Sequence, residues 1–204
     1  MKRENFFVGQ YKKCWEFFKE CRWYMVFVVG VFALLFLIGF LFPFFFRAEI
    51  FAFIEEMIKM LEGKGMWEIV WMIFSNNMKA SFMAIVFGIG FGVVPLVTTV
   101  VNGYLLGFVA REVAMEEGIS VLWQLFPHGI FELPAVIFSI GIGMRVGVSV
   151  FRCFGVSGGK RKKLGSAKGV GYVFREGLRF FVFVVFPLLL VAGIIEGVLI
   201  AISG

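Results

Sequence analysis

His128 and Glu132 are the two residues of this sequence whose types and spacing best suit chemistry. They lie four residues apart in the stretch PHGIFELPA, which begins at Pro127. Residues four apart share one face of a helix, so the imidazole and the carboxylate point the same way. Together they suit a divalent transition metal such as zinc, the transfer of a proton or ion, or a hydrogen-bonded pair that holds helices together. The sequence leaves these interpretations open.

The chain around this pair is more apolar than a soluble protein. Hydrophobic residues make up 60% of the 204 residues and the mean hydropathy is +0.93, whereas soluble domains are about half apolar. Almost no ionisable residue occurs in 26–46, 80–110, 118–144 and 180–204. Since roughly 18 or more consecutive apolar residues mark a spanning helix, we predict an all-α, polytopic membrane helical bundle.

The predicted bundle is a single integral membrane domain over 1–204. Segment 79–115 is too long for one helix across ~30 Å of hydrocarbon, and it contains Pro95, so we divide it in two. Surface helices are expected at about 48–74, where the sequence is amphipathic, and over Tyr11–Trp23 on the other side. The five expected spans are about 24–46, 79–96, 98–115, 128–151 and 179–202.

The positions of the basic residues predict the orientation. Lysine and arginine are enriched before the first span and in the loop 152–178, while segments 47–78 and 111–118 are balanced or acidic. Because cytoplasmic loops carry excess Lys and Arg, the N-terminus and loop 152–178 are expected in the cytoplasm and the C-terminus outside. The expected partners are the lipid bilayer and membrane or cell-envelope proteins. The net charge of +6 reflects this topology rather than nucleic-acid binding.

Glycines at GxxxG spacing predict close packing of the helices. Small residues at this spacing allow helix backbones to approach in lipid. The pattern is compatible with packing inside one chain or with a self-associating face in a homodimer. The pairs are Gly88/Gly92, Gly103/Gly107, Gly143/Gly147 and Gly193/Gly197.

Polar residues inside the apolar spans are expected to pair with one another, because an unpaired charge in hydrocarbon costs about 3 kcal/mol or more. Pro134 is expected to kink its helix beside the His–Glu pair, and broken helices at membrane depth occur at ion and substrate sites. A metal would be held by His128, Glu132 and Glu196. The complete predicted intramembrane polar core is Asn102, His128, Glu132, Arg145 and Glu196.

The order of these motifs resembles the stage II sporulation protein M family of integral membrane proteins. The resemblance runs from about Phe74 to Glu196, and PHGxFExPA over 127–135 is its most specific part. The residues that carry it are Asn76, Asn77, Gly88, Gly92, Asn102, Gly103, Gly107, 127–135, Gly143, Arg145, Gly147, Ile195 and Glu196.

The resemblance implies a membrane scaffold that, in sporulating bacteria, recruits peptidoglycan-degrading partners during engulfment of the forespore. The sequence contains no HExxH, CxxC or Walker A pattern, and no catalytic residue is assigned. The leading interpretation is a non-enzymatic membrane protein that organises or recruits partner proteins. The alternatives are a transporter or channel that uses the polar cluster His128, Glu132 and Glu196, and an intramembrane metal-binding protein or hydrolase.

The metal interpretation makes a direct prediction for the detergent-purified protein. Mass spectrometry should find a stoichiometric transition metal, and the metal should be lost in His128→Ala, because that change removes an imidazole ligand. A metal-free wild-type protein would contradict a metal site and leave a polar pair or a proton-coupled element.

Overall fold

The computed structural model describes residues 6–90, 92–120, 126–153 and 169–203, apart from the side chains of 126–128, 197 and 200–203. Over these ranges the chain is helical and contains no strand, which confirms the predicted all-α class. Five stretches are long and apolar enough to cross a membrane, and this number was also predicted. They are Phe6–Leu41, Met66–Ile89, Val93–Glu117, Gly129–Cys153 and Val170–Glu196.

The described ranges contain seven α-helices. They are α1 (Phe6–Leu41), α2 (Arg47–Leu61), α3 (Met66–Val86), α4 (Val93–Glu117), α5 (Phe126–Cys153), α6 (Val170–Phe180) and α7 (Phe186–Ser203). A 3₁₀ turn over Phe87–Ile89 extends α3, and a π-helical segment over Phe181–Val185 joins α6 to α7. Pro187 follows the π-helical segment and has no N–H to donate, so the regular hydrogen-bond pattern is interrupted there.

Helix α1 begins earlier and ends earlier than the predicted first span. Its 36 residues correspond to about 54 Å, well beyond ~30 Å of hydrocarbon. Tyr11–Trp23 is therefore the first part of a continuous helix rather than a separate surface helix. Cys14 and Cys21 lie on a buried face that continues along the helix. Only a continuous helix keeps this whole face turned toward the bundle. The helix ends at Leu41, ahead of Pro43.

Helix α3 includes residues that we expected in a surface helix. It begins at Met66, where the Gly65 N–H donates to Glu68 Oε2 at 3.0 Å, and it continues past residue 79, where the second span was expected to start. The segment 66–74 thus belongs to a spanning helix, because one cap at Gly65 starts the whole of α3.

The 3₁₀ turn after α3 ends at Ile89 and α4 begins at Val93, so the two helices are divided earlier than the predicted 96–98. Gly92 has a φ of 76°, a left-handed conformation that favours glycine. Pro95 lies in the first turn of α4, where its missing N–H costs no helical hydrogen bond. Pro134 lies inside α5, which continues as a helix on both sides of it, and the predicted kink there stays a prediction.

Helix α5 is the centre of the bundle and packs against α1, α3, α4, α6 and α7. Its side chains Ile140, Ile142 and Val146 are at most 1% exposed.

The two ends of the bundle take their names from the helices they contain. The α2 end holds the last residues of α1 and the first of α3, and the α6 end holds the first residues of α1 and the last of α5.

Glycines bring the backbones of α1 and α4 into direct contact. A Cβ atom at Gly107 would overlap the carbonyl oxygen of Phe36, and one at Gly103 would lie 2.9 Å from the carbonyl oxygen of Phe32. Gly39 of α1 faces the backbone of α4 in the same way. Because both helices run in the same direction, the contact extends along most of their shared length.

A second backbone contact joins α3 and its 3₁₀ turn to α5. A Cβ at Gly143 would overlap the carbonyl oxygen of Ala84, and one at Gly88 would overlap that of Gly143. On the other side of α3, a Cβ at Gly193 of α7 would lie 3.0 Å from the Cβ of Phe74. These glycines therefore face helices of the same chain.

Gly107→Ala should destabilise the protein, because the added methyl group forces α1 and α4 apart. We expect a loss of about 1–3 kcal/mol, typical of overpacking a rigid contact. Thermal unfolding in detergent would measure it, with Gly30→Ala as the control, since a Cβ at Gly30 has no atom within 4 Å. Equal melting of the two variants would contradict the close approach.

Candidate functional site

Glu132 and Glu196 lie at similar depths toward the α2 end of the bundle. Gly143 of α5 lies against Ala84, and Glu132 is 11 residues, about 16 Å, further toward the α2 end. Glu196 is one turn beyond Gly193, which lies against Phe74. The two carboxylates are thus separated by roughly one helical turn in depth, on helices that pack together. The Oε2 atom of each is buried.

The side chain of His128 lies outside the described part of the structure, although its backbone belongs to α5. Among the side chains that are described, no three His, Cys, Asp or Glu residues form a group that could hold a metal ion. The set His128, Glu132 and Glu196 therefore stays a prediction. What the packing adds is that α5 and α7 bring its two carboxylates to comparable depth.

Arg145 is not near these carboxylates. It lies on α5 13 residues after Glu132, about 20 Å toward the α6 end. Its guanidinium forms an ion pair with Glu20 of α1, and its Nη1 donates to Cys21 Sγ at 3.2 Å. The same guanidinium lies 4.9 Å from the ring centroid of Phe17. The structure thus separates Arg145 from the other members of the predicted polar core.

The Arg145 group is an electrostatic contact between α1 and α5. The Arg145 side chain is 13% exposed and that of Glu20 is 28% exposed, so solvent only partly screens the pair. Phe17 and Cys21 are essentially fully buried beside it. The arrangement satisfies a charge at the edge of the apolar region and fixes the rotation of α1 against α5.

Asn102 lies on an exposed face of α4. Its Nδ2 donates to the carbonyl oxygen of Thr98 in the preceding turn, at 2.8 Å. It borders a shallow apolar groove of about 340 Å³ along the same helix. The described contacts of Asn102 are therefore within α4 rather than with Glu132 or Glu196.

Two polar groups that the sequence analysis did not single out lie at the two ends of the bundle, one group at each end. At the α2 end, the Tyr104 hydroxyl donates to the carbonyl oxygens of Phe42 and Phe45, both at 2.9 Å. At the α6 end, buried Glu176 forms an ion pair with Arg179. The spacing of three residues on α6 was a usable signal for the second pair, whereas nothing local in the sequence indicates the first.

The comparisons with known proteins agree with this architecture. The family described as Stage II sporulation protein M matches residues 23–199, from the middle of α1 to α7. The chain belongs to the stage II sporulation protein M family. This confirms the resemblance, and with it a multi-pass membrane protein of a family that is not generally a recognised enzyme family.

One relative of this stage II sporulation protein M family member is the "Uncharacterized protein MJ0706" of Methanocaldococcus jannaschii. It is 28% identical over 144 residues, which cover 70% of this chain and 60% of the relative. The chain thus matches less than two thirds of the length of that relative. No solved structure matches the chain.

Removing the charge of Arg145 should weaken the contact between α1 and α5. In Arg145→Gln, Glu20 loses its cationic partner, and we expect a stability loss of about 1–3 kcal/mol, less than for a fully buried pair. Thermal unfolding of the detergent-purified protein measures the change. Arg152→Gln is the control, because Arg152 is exposed on the same helix. A melting temperature like that of the control would show that the ion pair contributes nothing.

Proposed function

We propose that this stage II sporulation protein M family member is a non-enzymatic membrane scaffold that organises or recruits partner proteins. The observation that carries the proposal is the exposure of α2. None of its residues is buried, yet both of its ends lead into spanning helices, α1 and α3. A helix held in this way stays at the membrane surface, where it is accessible to other proteins.

The contacts of α2 with the bundle are concentrated at its first turns. Arg47 Nη2 lies 2.8 Å from Glu112 Oε2 of α4, and the ring of Phe51 packs at 5.5 Å on that of Phe108. Beyond them the helix is amphipathic, with Phe53, Met57 and other apolar side chains on one face and Glu55, Glu56 and Lys59 on the other. The apolar face suits the membrane interface, which leaves the charged face for a partner.

The packing of the interior favours a scaffold function rather than a channel or transporter function. The middle of the bundle is filled by side chains such as Ile85, Ile142 and Val146, all at 0% exposure. Two shallow grooves among the described residues lie on the outside of the bundle, along α3 and α4. A bundle closed by backbone contacts at glycines is suited to holding a fixed surface.

The proposed orientation places the α2 end outside the cell membrane and the α6 end in the cytoplasm. The amino-terminal part of α1 carries Lys12, Lys13, Lys19 and Arg22, in agreement with the positive-inside rule. In this orientation α2 faces the cell envelope, so we propose membrane or cell-envelope proteins as the partners.

The test follows a partner rather than the chain. Membrane proteins near the chain are first identified by proximity labelling. Each is then tagged, and its localisation is compared in cells with and without the chain. A scaffold predicts that at least one loses its localisation without the chain and regains it with the full chain, but not when a flexible linker replaces α2. Phe53→Leu is the control, because Phe53 lies on the apolar face and the change keeps the helix and its charged face.

Unchanged localisation of every enriched protein in cells without the chain would contradict recruitment.

A second candidate, a transporter or channel, is favoured by the buried Oε2 atoms of Glu132 and Glu196 at membrane depth. It requires ion or proton flux in vesicles that falls in Glu132→Gln. Flux equal to that of protein-free vesicles would exclude it.

A further inference from the structure

A groove of about 450 Å³ runs along one face of α3. We call it the α3 groove. The residues that line it are Lys64, Glu68, Trp71, Met72, Ser75, Asn76 and Lys79. From Glu68 onward each lies three or four residues from another member of the set on a single helix, so together they form one stripe along it. This is the spacing with which a helix receives another helix.

The lower part of the α3 groove lies deep in the membrane. Lys79 is 13 residues from Met66 and 10 from Ile89, the two ends of its span, or about 20 and 15 Å. It is eight residues, about 12 Å, from Trp71, which is 64% exposed and of the type found at membrane interfaces. Lys79 therefore lies within the span, about 12 Å from the level of Trp71 and about 10 Å from that of Arg145, because Gly143 packs on Ala84.

The polar groups of the α3 groove face outward. Asn76 and Lys79 are both exposed on the surface of the bundle, and Ser75 is half-buried beside them. Within the described residues the Lys79 ammonium has no ion pair. An exposed ammonium and amide at this depth are costly in hydrocarbon, and such residues normally face a partner or a polar cavity.

We propose that the α3 groove is the docking site for a transmembrane helix of another protein, one that carries a carboxylate at the depth of Lys79. The carboxylate pairs with Lys79, and Asn76 and Ser75 supply hydrogen bonds across the helix pair, as polar residues do between membrane helices. The proposal deepens the proposed scaffold function, on which it rests for its occupant, by naming a surface and the chemistry of the partner.

Charge complementarity argues against a second copy of this chain. Two copies in one membrane share their orientation, so a symmetric contact along the α3 groove would bring Lys79 beside Lys79. The carboxylate of the groove, Glu68, is 11 residues or about 16 Å away from Lys79 along α3. Glu132 and Glu196 lie about 9 and 12 Å nearer the α2 end than Lys79, and their Oε2 atoms are buried inside the bundle. The carboxylate must therefore come from a different protein.

The experiment uses the full chain and a designed probe. A fluorescence donor is attached to Cys153, which is exposed, whereas Cys14 and Cys21 are buried. The chain is reconstituted in phosphatidylcholine vesicles with an acceptor-labelled polyleucine peptide that spans the bilayer once and carries one glutamate at its centre. A peptide with leucine at that position is the matched control. Energy transfer at increasing peptide concentration reports association.

We expect the glutamate peptide to bind the wild-type chain about tenfold more tightly than the leucine peptide. Lys79→Met should remove this preference and Lys79→Arg should keep it. Lys64→Met is the control within the α3 groove, because Lys64 precedes α3 and lies outside the span. Thermal unfolding should be unchanged in all three variants, since both lysines are exposed.

Equal binding of the two peptides, or a preference that survives in Lys79→Met, would overturn the proposal. Transfer between two labelled copies of the chain that depends on Lys79 would assign the groove to self-association instead. Loss of the glutamate preference on adding anionic phosphatidylglycerol would assign it to a lipid headgroup. None of these outcomes bears on recruitment itself, because the localisation experiment follows natural partners and does not use the peptide.

Discussion

The close approach of helix backbones at glycines is the constraint on which the rest of the structure depends. In lipid there is little hydrophobic gain when two helices associate, so contact area and backbone proximity must supply the stability. Gly103 and Gly107 join α4 to α1, and Gly88 and Gly143 join the end of α3 to α5. These contacts fix the helix registers, and the registers in turn set the depth of Glu132, Arg145 and Lys79.

The sequence was sufficient to predict the helical class and the five spans, because both follow from long apolar stretches. It did not predict where helices begin. Tyr11–Trp23 is polar enough for a surface helix, but its buried face is continuous with that of the span, and only the packing against α6 shows this. The second span was expected to begin at about residue 79, although the helix that contains it is already capped at Gly65.

The candidate site was predicted in part for a similar reason. Polar residues in apolar spans can be found by inspection, but their partners depend on register. Arg145 pairs with Glu20, which is 125 residues away and lies at the edge of an apolar stretch rather than inside one. Lys79 was treated as the start of a span, and only the continuity of α3 places it inside one.

The length of α1 has a mechanical consequence. It is one helix from Phe6 to Leu41, joined to α6 and α5 at one end and, through Tyr104 and the carbonyl groups after Leu41, to α4 and the start of α2 at the other. The helix contains no proline and no break between its ends, so a tilt imposed on the first residues of α1 also moves the segment that leads into α2. The position of α2 on one side of the membrane is thereby coupled, through α1, to the helix contacts on the other side.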